Sequence, residues 1–172
     1  MKKLAFIVLL LSLGSAATAQ PKKTANHTPD PGNLTSVSIY HTACFGRCPE
    51  YKIEINKNGM ATYSGIRFVP DSGIYTKNIG KKAATAILAS FARFNWDTFP
   101  NRYEAMIEDL PGLIITVNYG KKTKSIQNAH FGPKTLNALR KKLDDVIERK
   151  LDESGLQPVD KSWRRTGNYK YE

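Results

Sequence analysis

The side chains with the clearest chemical potential lie together at Cys44-Phe45-Gly46-Arg47-Cys48-Pro49. Two cysteines separated by three residues can reach disulfide geometry if the chain turns back sharply, and Gly46 offers a positive φ for such a turn at no steric cost. Three chemistries fit the pair. A structural disulfide is expected where a chain's two cysteines enter an oxidising compartment together. Thiol–disulfide exchange needs a thiol of depressed pKa, and Arg47 would help supply the field. Thioredoxin-like enzymes, however, use C-x-x-C at a helix N-terminus in a βαβ setting, whereas here the spacing is longer and strand-like segments flank the motif. A metal site built from Cys44, Cys48, His41 and His130 lacks the paired-ligand spacings that make zinc motifs specific, so neither a metal nor a cofactor is assigned.

A second group of candidates lies in the long connection Asn95 to Gly112, where Trp96, Phe99 and Tyr103 accompany Asp97, Glu104, Glu108 and Asp109. Loops of this length are often functional, and Trp96, Tyr103 and Asp109 with His130 would suit a ligand cleft. The same aromatics would equally cap the edge of a core. Neighbouring carboxylates at Glu108 and Asp109 do not supply the measured separation that glycoside hydrolysis requires. No G-x-S-x-G elbow accompanies His41 or His130, so a nucleophilic hydrolase has no support.

The basic residues complete the inventory. Lys121, Lys122 and Lys124 cluster at an expected hairpin tip, and Arg140, Lys141 and Lys142 lie on the outer face of the last expected helix. Such runs are ordinarily solvated surface, and they would also suit anionic envelope material.

The N-terminus decides how these signals are read. Lys2 and Lys3 precede the apolar run Leu4 to Leu13, and Ala17-Thr18-Ala19 makes an A-x-A site. The run is about half the ~20 residues needed to cross a bilayer, so residues 1–19 read as a cleavable signal peptide and the mature chain carries no transmembrane segment. Export to the periplasm or beyond follows. It favours a disulfide and makes nucleic acid an improbable partner in spite of 26 basic against 15 acidic residues, a net +11.

The elements that must position these residues follow from periodicity. Residues 20–34 hold Pro21, Pro29, Pro31 and Gly32 among polar neighbours and read as a flexible linker. Alternation at Val37 and Ile39, at Tyr51, Ile53 and Ile55, and at Ala61 and Tyr63 gives three strands. A three-residue loop Lys57-Asn58-Gly59 with a left-handed glycine pairs Ile55 with Ala61 and Ile53 with Tyr63. A fourth strand is expected over Gly73 to Ile79. Ala84, Ile87, Phe91 and Phe94 mark a helix over Lys81 to Phe94. Leu113, Ile115 and Val117 start a hairpin whose Gly120-Lys121 turn sets Ile126 opposite Ile115. Leu136, Leu139, Leu143, Val146 or Ile147, and Leu151 form the stripe of the last helix. The order β-β-β-β-α-β-β-α predicts an α+β domain over 35–151: a largely antiparallel sheet of about six strands with two helices on one face. Residues 152–172 form a tail in which Trp163, Tyr169 and Tyr171 offer apolar surface for docking.

The run Ile39 to Gly65, with Cys44-Phe45-Gly46-x-Cys48-Pro49-x-Tyr51, Asn58-Gly59 and Tyr63-x-Gly65, resembles an exported bacterial family catalogued as domain of unknown function 6438. The resemblance continues through Asp109-x-Pro111 and covers most of Val37 to Lys150. It implies a compact exported domain and assigns no catalytic residue. It singles out Phe45, Gly46, Arg47, Pro49 and Tyr51 beside the two cysteines. Taken together, the sequence predicts a basic, exported, non-enzymatic binding or structural module of the cell envelope with an unknown, anionic envelope partner, against the alternative of a thiol–disulfide redox protein using Cys44 and Cys48. Oligomeric state is not addressed by any of these signals.

Overall fold

Strands β1 (Leu34–His41), β2 (Glu50–Asn56) and β3 (Met60–Arg67) form a meander whose second turn is set by one glycine. The computed structural model describes residues 33–104, 110–147, 151–152, 155–156 and 159–170, so the signal peptide expected over residues 1–19 and residues 20–32 of the expected linker lie outside the described residues, whereas Leu34, expected to end the linker, opens β1 and is buried in the core. Gly59 has φ +92°, and a Cβ placed on it would lie 2.7 Å from the Gly80 carbonyl carbon, so both backbone angle and space require glycine. Ile55 accordingly faces Ala61 and Ile53 faces Tyr63, the register that puts apolar side chains on one face.

The meander continues through β4 (Gly73–Asn78), which pairs along all of its residues with β3. It stops one residue short of the expected Ile79, whose N–H is taken by the Gly59 carbonyl at 2.9 Å. Helix α1 (Lys81–Phe91) follows and buries Ala84, Leu88 and Phe91. It ends three residues before the expected Phe94, and Leu88 rather than Ile87 carries the buried stripe. The reason is local: the Trp96 indole N–H donates to the Phe91 carbonyl at 2.9 Å, the acceptor that a continuing helix would give to the amide of residue 95.

Strands β5 (Leu113–Tyr119) and β6 (Lys122–Ile126) form the second hairpin, with Gly120 at φ +57° and Ile115 facing Ile126. Helix α2 (Lys134–Asp144) and a 3₁₀ turn, Asp145–Ile147, present Leu136, Leu139, Leu143 and Ile147 to the core. The helix does not reach Leu151 as expected: it gives way to the 3₁₀ turn at Asp145, and Leu151 lies in a strand. Two short strands, β7 (Leu151–Asp152) and β8 (Gly155–Leu156), pair only with each other. The tail returns as β9 (Arg164–Gly167) and pairs antiparallel with β4.

The class is α+β, as expected, with an antiparallel sheet of seven strands rather than about six, in the order β6-β5-β1-β2-β3-β4-β9. The extra strand comes from the tail, whose Arg164-Arg165-Thr166-Gly167 lacks apolar alternation because it lies on an edge with exposed side chains. Both helices pack on the face that holds Val37, Ile39, Ile53, Ile55, Ile115 and Val117, all closed to solvent. The other face carries Tyr40, Lys52, Glu54, Thr62 and Thr116. Across β1 to β4 the core-facing side holds a row of rings: His41 stacks on Tyr51 (centroids 4.4 Å), Tyr51 meets Tyr63 (6.0 Å), and Tyr63 meets Tyr75 (6.1 Å).

Candidate functional site

The β1–β2 connection projects from one end of the sheet and is closed by the Cys44–Cys48 disulfide, with Cα atoms 5.7 Å apart. Gly46 does not use a positive φ, contrary to expectation. Its N–H donates to Cys44 Sγ at 3.2 Å, and a Cβ there would make only an ordinary 3.8 Å contact with the same sulfur, so the turn is made within the range open to any residue. Phe45 stands at the tip, 91 % exposed. Arg47 places its guanidinium carbon 5.6 Å from the centroid of the Phe68 ring, joining this loop to the β3–β4 loop. Phe68 is itself half-exposed at φ +53°, a left-handed angle that an aromatic residue adopts at a cost of order 1 kcal/mol or more.

All five exposed large apolar side chains among the described residues, Phe45, Phe68, Leu110, Phe131 and Tyr169, belong to this one end. They sit after β1, after β3, before β5, after β6 and after β9, which the antiparallel order brings to the same side. A soluble surface scatters such residues singly. Here they share one end of the sheet, spread from β6 to β9.

Two polar clusters back the loop. On the helix side, Asp144 accepts from His41 Nε2 (3.1 Å), Tyr51 Oη (3.1 Å) and Arg140 Nη1 (2.8 Å). On the open side, the buried Glu50 accepts from Tyr40 Oη and from Arg67 Nε (2.6 Å). Burial and the Glu50 hydrogen bond push the Tyr40 phenol well above its ordinary range. Tyr51 thus acts through its ring and hydroxyl together, while Pro49 is exposed. Sequence reading placed Arg140 on the outer face of the last helix without pairing it to Asp144, and it overlooked Glu50. The signal for Glu50 was its place inside the cysteine motif, between Pro49 and Tyr51; Asp144 lies 103 residues from His41, and no local pattern reveals that pairing. Since the two cysteines bond each other and His41 bonds Asp144, the suggested Cys44, Cys48, His41 and His130 ligand set is not gathered, and no group of three metal-capable side chains occurs among the described residues.

The other cleft candidates do not converge. Trp96 is fully buried beside Phe91 and Phe99 and has no surface to offer a ligand, because it closes the core under α1. Tyr103 packs against the core and its backbone bonds to Gln127. Asp109 and Glu108 lie outside the described residues. An open pocket of about 420 Å³ does lie beside this connection, lined by Asn101, Arg102, Thr123, Lys124, Ser125 and Gln127. Neither His130 nor any carboxylate lines it. The His130 Nδ1 is buried without a hydrogen-bond partner among the described residues, and burial, aided by the Arg140 and His41 charges, lowers its pKa.

Most of the basic candidates are engaged locally. Lys122 lies 3.7 Å from Asp97, Lys124 donates to the Phe99 carbonyl at 2.7 Å, Arg140 holds Asp144, and Lys141 lies 2.7 Å from Asp145. Lys121 and Lys142 are exposed and make no hydrogen bond or ion pair among the described residues. The two clusters lie toward opposite ends of β1: the Gly120 turn bonds Asn33, and Asp144 bonds His41, eight residues and so about 26 Å further along an extended chain. They do not form one patch.

The family model for Domain of unknown function (DUF6438) matches residues 35–147. No curated protein and no solved structure matches the chain significantly.

Proposed function

The chain belongs to the DUF6438 family, and from that premise we propose that it is an exported, non-enzymatic binding module of the cell envelope, stabilised by the Cys44–Cys48 disulfide. The observation that carries the reading is the placement of Phe45, Phe68, Leu110, Phe131 and Tyr169 beyond the same end of the sheet as the disulfide loop. Export is supported by the Lys2-Lys3, Leu4 to Leu13 and Ala17-Thr18-Ala19 pattern and by a disulfide, which persists in oxidising compartments. The contact is aromatic first and electrostatic second, since four of the six candidate cations already have local partners.

Retention of the purified mature chain on an envelope fraction at low and high salt tests this reading. We expect Phe45→Ser combined with Phe68→Ser to abolish retention, and high salt to leave most of it. Retention that survives the double substitution and vanishes in salt refutes it. A thiol–disulfide activity is the competing reading, favoured by the Gly46 N–H donated to Cys44 Sγ. Against it, the Arg47 charge is directed at the Phe68 ring, and the cysteines lie between strands rather than at a helix N-terminus, one of the places where such thiols are activated.

A further inference from the structure

The family match ends at residue 147, yet the chain returns to the domain afterwards and occupies a defined place on it. Segment Val159–Gly167 lies along the β4 edge. Val159 N–H donates to Asp71 Oδ2 at 2.7 Å, Asp160 Oδ2 pairs with Lys77 Nζ at 3.2 Å, and Trp163 inserts beside Tyr63 (centroids 6.4 Å) under the Lys77 ammonium (5.9 Å). Trp163 is 6 % exposed. Backbone pairing then runs from Arg164 to Gly167 against Ile74 to Thr76.

Three features show that this occupant fits its site incompletely. Pairing covers three positions and breaks register between Ile74 and Tyr75, against six continuous pairs between β3 and β4. The Trp163 indole N–H is buried with no acceptor among the described residues, and a buried donor left unpaired weighs against the seated state. A pocket of about 480 Å³ remains open between strap and sheet, lined by Met60, Thr76, Lys77, Asn78, Ser162 and Arg164. A sheet edge with an aromatic pocket and a cation beside it is the arrangement used for strand addition, in which backbone bonds give affinity and pockets give specificity. Without the strap, β4 would present a bare edge, a template that folded proteins cover.

We propose that the β4 edge is a peptide-binding site, accepting extended segments of a partner protein that carry an aromatic side chain three residues after a carboxylate, and that Val159–Gly167 is its displaceable occupant in cis. The partner segment supplies a carboxylate to Lys77, a ring to the Trp163 pocket and an edge strand to Ile74–Thr76. A partner that also accepts or avoids the orphaned indole hydrogen bond outcompetes the strap despite the strap's high effective concentration. The strap also leads into Tyr169 at the aromatic end of the sheet, and a peptide titration reads the β4 edge separately from retention on envelope material.

The probe is a fluorescent peptide with the sequence of residues 158–169, titrated into the full mature chain. Trp163→Ala removes the anchor of the cis occupant, and we expect the probe to bind this variant at least 10-fold more tightly than the wild type. Adding Lys77→Glu should reverse the gain by 10-fold or more, and a probe lacking its tryptophan should not bind. Equal probe affinity in wild type and Trp163→Ala overturns the proposal. Hydrogen exchange on the wild-type chain gives a second readout that needs no substitution. Amides of Arg164 to Gly167 should exchange at least 100-fold faster than those of Tyr63 to Gly65, through opening of the strap alone. Equal protection means the strap is integral to the fold and overturns the proposal. So does a wild-type dimer in light scattering at the assay concentration, which would make a second copy the occupant.

Discussion

Replacing both cysteines, Cys44→Ser with Cys48→Ser, isolates what the disulfide does. The bond spans a sequence separation of four, so the loop it closes is about five residues. The loop-entropy relation gives a denatured-state loss of about 7 cal/mol/K, or about 2 kcal/mol at 25 °C. At this domain size a change of 1 kcal/mol moves Tm by roughly 4 °C, so the double variant should melt about 8 °C below the wild type in a reversible thermal scan without reductant. Phe45 sits inside the loop, so the variant should also lose retention on envelope material at temperatures where it is still folded. The same bond should resist a glutathione buffer, with a potential below about −300 mV. Unchanged melting together with a potential near −180 mV or above would refute the structural assignment. That pair of results would describe a labile bond that contributes nothing to the fold, as a catalytic one does.

Other substitutions separate neighbouring roles. Gly46→Ala should leave Tm within about 1 °C, because its φ is ordinary and a Cβ meets only Cys44 Sγ. Gly59→Ala should cost more than 1 kcal/mol in chemical denaturation, from its positive φ and the collision with Gly80. Asp144→Ala strands the hydrogen-bonding groups of His41, Tyr51 and Arg140 and should cost about 1–3 kcal/mol. Arg140→Ala removes one partly exposed i,i+4 pair and should cost only about 0.5 kcal/mol. His130 titrates below its ordinary 6.5 in the fold. The unfolded chain therefore takes up the proton first, and stability should fall as pH drops below about 6.5 and level off once the folded pKa is passed. His130→Gln should flatten that slope in urea melts between pH 7 and pH 5.

Where turn chemistry and period-2 alternation are strong, the fold was legible. The Gly59 and Gly120 turns predicted the partners of Ile55 and Ile115 because glycine conformation and loop length decide register. Strand order was not legible in the same way. β1 lies between β2 and β5, and that placement depends on two helices finding a common face, a non-local event. Trp96 was read as a candidate for a cleft because an aromatic in a long loop looks available. Its hydrogen bond to Phe91 turns the chain inward, and no pattern along the sequence encodes that bond. The Asp144 cluster was hidden by distance along the chain, and β9 was hidden because an edge strand on a polar surface needs no apolar alternation. By contrast, Glu50 and Tyr51 of the two polar clusters lie within or beside the cysteine motif, so that motif marks where both clusters meet the chain.

The row of rings across β1 to β4 has an optical consequence. The chain has two tryptophans, and the fold puts them in opposite states: Trp96 sealed in the core with its N–H bonded to Phe91, Trp163 packed against Tyr63 in the middle of the tyrosine row with no acceptor for its N–H among the described residues. Excitation absorbed by Tyr51, Tyr63 and Tyr75 reaches Trp163 only while the strap is seated. Lifting the strap should therefore cut tyrosine-to-tryptophan transfer and shift one emission band to the red while the other stays fixed. The molecule carries its own paired gauge, one indole reading the core and the other reading the edge.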